Sequence, residues 1–279
     1  MFYEEDSTDL YFGKRSIPDT SQTLIHIISY ISLSIISLIL MYLIPSLSSF
    51  FLQMLFNIDD NNYFLDVFKR FIANPTLIII PFVNAIITKE KNIKELFGLR
   101  MLENQMSFLL IFGTSLLSIA LLSNSNCVHN PINHKTKYCE LIIFIILECI
   151  FPAIFEEIMF RGWLIGCLKK YTNTIIASII SSLIFSFAHH YQSPFGYITI
   201  FILSLFWCFL DYATKSIFPS ILVHFIHNFS NSILLLFVNG FCEMSVYESL
   251  IIWFIGALVL YLTYDKYFSV PNEPDALMF

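Results

Sequence analysis

Residues 141–168 read LIIFIILECIFPAIFEEIMFRGWLIGCL, and their only charged side chains are Glu148, Glu156, Glu157 and Arg161. A helix needs about 20 apolar residues to cross a bilayer, and this stretch is long enough to do so. Ionisable groups are costly in hydrocarbon, so a cluster of them inside such a stretch marks a functional site. Glu157 and Arg161 are four residues apart, the spacing at which helical side chains meet. An ion pair there neutralises both charges and fixes that face. Glu156 is left unmatched, pointing elsewhere on the helix, and is the candidate general base.

The rest of the chain agrees with a membrane setting. Of its 279 residues, 57% are hydrophobic and 13% are charged, with 30 Phe. Soluble domains carry roughly 25% charged residues, so too little polar surface remains to cover a water-soluble globule. The chain is therefore expected to be all-α, a polytopic membrane protein. Closed barrels are excluded because the apolar runs do not alternate. The net charge of −6 forms no basic stripe, which argues against nucleic acid as a partner. The six cysteines lack metal-ligand spacing. Cys127 and Cys139 share one polar loop and are equally compatible with a disulfide, if that loop meets an oxidising compartment, or with two free thiols. The first 22 residues are polar and lack the apolar core of a cleavable signal peptide.

About eight transmembrane helices are predicted, at roughly 23–45, 71–88, 105–123, 141–168, 174–191, 195–211, 217–238 and 248–264. Residues 46–56 extend the first span as a candidate interfacial segment. With a cytosolic N-terminus, the cytosolic side holds eleven of the fifteen Lys and Arg residues, as the positive-inside rule prefers. Lys69 and Arg70 fall on the other side, against that rule. In this topology Glu156 lies roughly 18 Å from the cytosolic end of the fourth span at Leu168, and His189 roughly 22 Å from Thr174. His224 and Asn228 lie roughly 8 and 14 Å inside Pro219. These depths agree loosely, and modest tilts of the helices would let the four groups meet.

These later polar groups form two more motifs. His189 ends the run Phe185-Ser186-Phe187-Ala188-His189 and is placed to share a water with Glu156. His190 points about 100° round the same helix, so only one of the two faces the site. His224 and Asn228 are again four apart and project from one face. An imidazole and a neutral amide suit stabilisation of an oxyanion. His227 lies off that face and reads as packing. Hydrogen bonding between helices is the bland alternative for each motif, and it contributes only about 0.6–2 kcal/mol.

Glu156-Glu157-x-x-x-Arg161, Phe185-x-x-x-His189 and His224-x-x-x-Asn228, taken in that order, resemble the CPBP family of intramembrane proteases. That family includes the CAAX prenyl endopeptidase and Abi-type proteins. Phe160-Arg161-Gly162, Ser216-Ile217-Phe218-Pro219-Ser220 and Phe97-Gly98-Leu99-Arg100 extend the likeness over about residues 97–235. The resemblance implies a hydrolase embedded in the membrane, an endopeptidase that removes the last three residues of prenylated CAAX proteins. It assigns activation of water to Glu156 with His189, oxyanion binding to His224 and Asn228, and structural support to Glu157 and Arg161. Glu148 receives no role.

On this reading no cofactor is required. Zinc is the open alternative, and Glu156, His189 and His224 would be its ligands. The expected organisation is a polar cytosolic segment at 1–22, N-terminal transmembrane helices at 23–96, a CPBP-like catalytic core at 97–235, and a last helix with a cytosolic tail at 236–279. The expected partners are prenylated CAAX substrates and membrane lipid. The active site is expected to open to the cytosol, from the endoplasmic reticulum in a eukaryote or the plasma membrane in a bacterium. The rival readings are a non-proteolytic CPBP-type scaffold and, further off, a proton-coupled transporter.

Overall fold

A computed structural model describes residues 20–59, 62–90, 92–99, 111–118, 138–189, 194–230 and 246–268. Among these the chain is helical, with no strands. In chain order the helices are α1 (Thr20–Phe56), α2 (Tyr63–Thr76), α3 (Ile79–Ile87), α4 (Ile93–Leu96) and α5 (111–118). They continue as α6 (138–168), α7 (Thr174–Ala188), α8 (Pro194–Thr214), α9 (Phe218–Phe229) and α10 (Val246–Phe268).

Three stretches are long and apolar enough to cross a membrane: Thr20–Phe56, Tyr63–Ile87 and Pro194–Thr214. Thr174–Ala188 and Leu250–Thr263 are shorter apolar helices. Outward faces such as Ile25, Ile39 and Phe50 of α1, and Ile251 and Phe254 of α10, are apolar and exposed. Lipid is the solvent that such faces suit, and the protein is an integral membrane protein. The segment at 46–56 continues α1 past Pro45 instead of forming a separate interfacial piece. A proline inside a membrane helix is tolerated where neighbours satisfy the freed backbone. On the inner side α1 buries Ser34, Ser37 and Ser49. Ser34 and Ser37 return their hydroxyls to the carbonyls of Tyr30 and Leu33, so small polar residues pack without unpaired donors.

The second predicted span also needs revision. Helix α2 begins at Tyr63, where Asn62 accepts the Phe64 N–H at 2.8 Å, and therefore includes Lys69 and Arg70. Arg70 bonds Asp66 at 3.0 Å and Glu148 of α6 at 2.6 Å. These acceptors explain why a cation lies within the span, and they give Glu148 a partner. Cys127, His190, Arg100, most of 105–123 and residues 231–238 lie outside the described residues, so the Cys127–Cys139 pairing has no structural account.

Helix α6 is the centre of the bundle and packs against α1, α2, α3, α7 and α9. It is not a uniform α-helix. Its α-helical stretch Phe151–Glu157 is flanked by π-helical turns at Ile145–Ile150 and Ile158–Leu164. Pro152 has no N–H to return to Glu148, the i−4 carbonyl, which favours the wider register before it. π-Turns recur at functional sites because they turn side chains out of the ordinary helical sequence.

The three flanking segments that extended the family likeness meet each other. Gly98 adopts φ +64°, and its carbonyl accepts the Ile217 N–H at 3.1 Å. A Cβ at Gly162 would sit 2.7 Å from the Phe97 carbonyl oxygen, so only glycine lets that turn rest on α6. Trp163 adds a hydrogen bond to Asn84 of α3 at 3.3 Å. Gly162→Ala is expected to cost about 1–3 kcal/mol by overpacking. Thermal unfolding in detergent micelles measures this, and an unchanged midpoint would contradict the packing described.

Candidate active site

The charged face of α6 forms a buried network. Glu157 and Arg161 have fully buried side chains, with Oε1 of Glu157 3.2 Å from Nη1 of Arg161. The same oxygen lies 2.8 Å from Nδ1 of His224 on α9. An ionised carboxylate only accepts, so Nδ1 of His224 is the donor. That hydrogen bond turns Nε2 toward Glu156, 3.9 Å from its Oε2. Glu156 keeps 15% of its side chain exposed while its neighbour has none. Thus the two adjacent glutamates occupy different environments, one sealed in the bundle and one at its edge.

Arg161 is held on its faces as well as its edge. Its guanidinium lies 4.2 Å from the centre of the Phe185 ring and 5.2 Å from that of Trp207. Cation–π contacts suit a desolvated arginine. Nη2 donates to Ser204 at 2.9 Å, and Ser204 donates to Ser182 at 2.8 Å. Trp207 then stacks on His224, with centroids 4.4 Å apart and planes 25° from parallel. The imidazole is therefore fixed by a carboxylate at one nitrogen and by an indole across its face.

His189 differs from its sequence reading in backbone placement. Helix α7 ends at Ala188, and His189 is the capping residue, with φ −91° and ψ 139°. Its ring Nδ1 lies 2.8 Å from the Phe185 carbonyl, taking the place of the next helical N–H. A side-chain donor on the last turn of carbonyls is a common way to end a helix. Because a carbonyl only accepts, Nδ1 carries the proton, and Nε2 is the acceptor of the neutral ring.

Glu156 and His189 line one cavity of about 160 Å³. Phe160 and Ala188 line it too, and Leu38, Met41 and Tyr42 of α1 form another wall, with Leu77 beside them. Asn228 is half-buried, one turn beyond His224 on α9. His227 is buried, with its ring 5.7 Å from Trp207, in a packing position. The structure thus brings together Glu156, Glu157, Arg161, His189 and His224 from α6, α7 and α9.

Sequence reasoning missed several neighbours of the site. Asp211 of α8 has both carboxylate oxygens buried, near Glu157, Arg161 and Ser220. An ionisable residue at the end of an apolar span was a usable signal for it. Ser204, Ser182 and Trp207 gave none, because serine and tryptophan are ordinary in membrane helices. For a metal, no group of three or more His, Cys, Asp or Glu residues is arranged to hold an ion among the described residues. Nδ1 of His224 is held by Glu157 and Nδ1 of His189 by a carbonyl, which leaves Nε2 as the other ring nitrogen of each. As placed, Glu156, His189 and His224 do not form such a group.

Residues 138–230 match the family described as Rce1-like, type II CAAX prenyl endopeptidase. The match agrees with the resemblance read from the three motifs, all of which it contains. The match covers about a third of the chain and is a likeness of this segment to that family. No curated protein and no solved structure matches the chain.

Removing one partner of a buried ion pair strands the other charge, at a cost of about 3–5 kcal/mol. Arg161→Leu should therefore destabilise the protein by that order. The double variant Glu157→Leu/Arg161→Leu should lose less than the single one. Thermal unfolding of the three proteins in micelles checks the ordering, and a double variant less stable than Arg161→Leu would contradict it.

Proposed function

We propose that this protein is an intramembrane endopeptidase that removes the last three residues of prenylated CAAX proteins through a water activated by Glu156. The observation that carries the reading is the shared cavity. Glu156 and His189 line it, and His224 presents Nε2 3.9 Å from the same carboxylate. Three motifs on three helices converge on one carboxylate.

In this mechanism Glu156 takes a proton from water as the water oxygen bonds to the scissile carbonyl carbon. The carbonyl oxygen becomes the oxyanion, and His224 and Asn228 donate to it. Glu156 then returns the proton to the departing amine as the C–N bond breaks. His189 orients the water through its acceptor nitrogen. For Nε2 of His224 to donate while Nδ1 holds Glu157, the ring must carry both protons. Glu156 and Glu157 would then face two cations, Arg161 and His224. Glu157 and Arg161 act as supports, the first by gripping His224 and the second by balancing charge.

The cavity is proposed to open toward the cytosol, with the N-terminus and C-terminus on that side, in a bundle of about eight spans. The membrane would be the endoplasmic reticulum of a eukaryote or the plasma membrane of a bacterium. The carboxylate performs the activation, so the reaction requires no metal.

The test is cleavage of a prenylated CAAX peptide by purified protein in proteoliposomes, with and without chelator. Glu156→Gln should lower the rate by about 100- to 10,000-fold, the range of general acid–base catalysis. His189→Ala and His224→Ala should abolish turnover. Asn228→Ala should cost about 100- to 1,000-fold, as loss of an oxyanion donor does. Chelator should leave the rate unchanged. Undiminished cleavage by well-expressed Glu156→Gln would overturn the mechanism, and a phenotype that survives this substitution would favour the scaffold reading.

A further inference from the structure

Helix α8 carries none of the three motifs, yet one of its faces covers the buried cluster. Ser204, Trp207 and Asp211 follow at intervals of three and four residues, which places them on one face. Ser204 accepts from Arg161 at 2.9 Å, and Trp207 stacks on His224 at 4.4 Å. Asp211, the third, meets the first turn of α9, where the backbone N–H and hydroxyl of the fully buried Ser220 lie beside its carboxylate. Both oxygens of Asp211 are buried, with their hydrogen-bonding capacity unspent among the described residues. The mechanism above makes no use of this carboxylate.

The first N–H groups of a helix have no partner within it, so those at the start of α9 need acceptors from elsewhere. The Ile217 N–H goes to the Gly98 carbonyl at 3.1 Å, and that of Phe218 to Oγ of Ser216 at 3.2 Å. Pro219 has no N–H, and the Ile221 N–H reaches back to the Ile217 carbonyl at 3.0 Å. Ser220 is left, and its hydroxyl is already given to the Ile217 carbonyl at 2.9 Å. A buried N–H without an acceptor is costly, and so is a buried carboxylate without a donor. We infer that Asp211 is the acceptor of the Ser220 N–H and, through it, a positioning residue for His224. Aspartate is among the best helix-capping residues, and its negative charge suits the positive end of α9. In this case the cap comes from the neighbouring helix. Ser220 and His224 are four residues apart, so they share a face of α9. Holding the first turn at Ser220 fixes the rotation with which α9 presents His224 to Glu157 and Trp207. The inference rests on the role proposed above for His224.

The effect belongs to placement of an oxyanion donor, so its loss should appear in kcat and not in KM. Asp211→Leu and Asp211→Ala remove the acceptor. With prenylated CAAX peptide in proteoliposomes, each should lower kcat by about 10- to 100-fold, the scale of a small misplacement near reacting atoms. KM should stay within about twofold of wild type, because no substrate contact is lost. Asp211→Asn keeps an oxygen for the N–H and should hold kcat within about threefold, since asparagine caps as well as aspartate. Ser220→Ala keeps the N–H and should turn over like wild type. Wild-type kcat in folded Asp211→Leu or Asp211→Ala, beside an inactive Glu156→Gln, would overturn this inference and leave the proposed function standing. A loss in Asp211→Asn as deep as that in Asp211→Ala would overturn it too, by assigning the effect to charge. The same loss in Ser220→Ala would overturn it by assigning the effect to the hydroxyl. Absence of cleavage by the wild-type protein would overturn both the inference and the function it rests on.

Discussion

The structure depends on one buried carboxylate. Glu157 is sealed in the bundle and holds Arg161 within its own helix and His224 from α9. In hydrocarbon an uncompensated charge at that depth is costly, so the helices that supply its partners must stay assembled around it. The aromatic contacts follow from the same need. Phe185 and Trp207 cover the guanidinium, and Trp207 covers the imidazole. This anchor leaves the adjacent Glu156 at the edge of the bundle, with a cavity beside it. One carboxylate fixes the frame, and its neighbour lines the cavity.

The division between those two glutamates also bears on the shape of α6. Consecutive residues on a helix point about 100° apart, enough to put one in the core and the other at its rim. The π-turns on either side of Phe151–Glu157 pack against α1 and α9, Ile158–Leu164 against the first and Ile145–Ile150 against the second. Packing around it is close. The turn at Phe97 rests on Gly162, and the Gly98 carbonyl ties the start of α9 through Ile217. Residues far apart in the chain therefore set where His224 sits relative to α6.

Much of this was legible in the residues because charge inside hydrocarbon is rare. Glu156, Glu157, Arg161, His189 and His224 stood out for that reason, and the i,i+4 rule paired Glu157 with Arg161 correctly. The contact between Glu157 and His224 was not legible, since spacing along one helix says nothing about partners on another. The end of α7 was misplaced because Ala188-His189-His190-Tyr191 contains no breaker, and the cap is made by the imidazole itself. The start of α2 was misplaced because Lys69 and Arg70 looked like loop residues until Asp66 and Glu148 were seen to neutralise Arg70. The cavity wall from α1 had no signal at all, because Leu38, Met41 and Tyr42 belong to a helix that is apolar nearly throughout.

The central claim is that water, activated beside Glu156, is the nucleophile that opens a peptide bond within the membrane. Hydrolysis of a prenylated CAAX peptide in ¹⁸O-labelled water, followed by mass spectrometry of both products, tests it most directly. The account predicts release of the C-terminal tripeptide and one ¹⁸O atom in the new carboxylate of the prenylcysteine fragment, neither arising with Glu156→Gln. Tripeptide release without label in that carboxylate, or equal labelling by the Glu156→Gln protein, would contradict it.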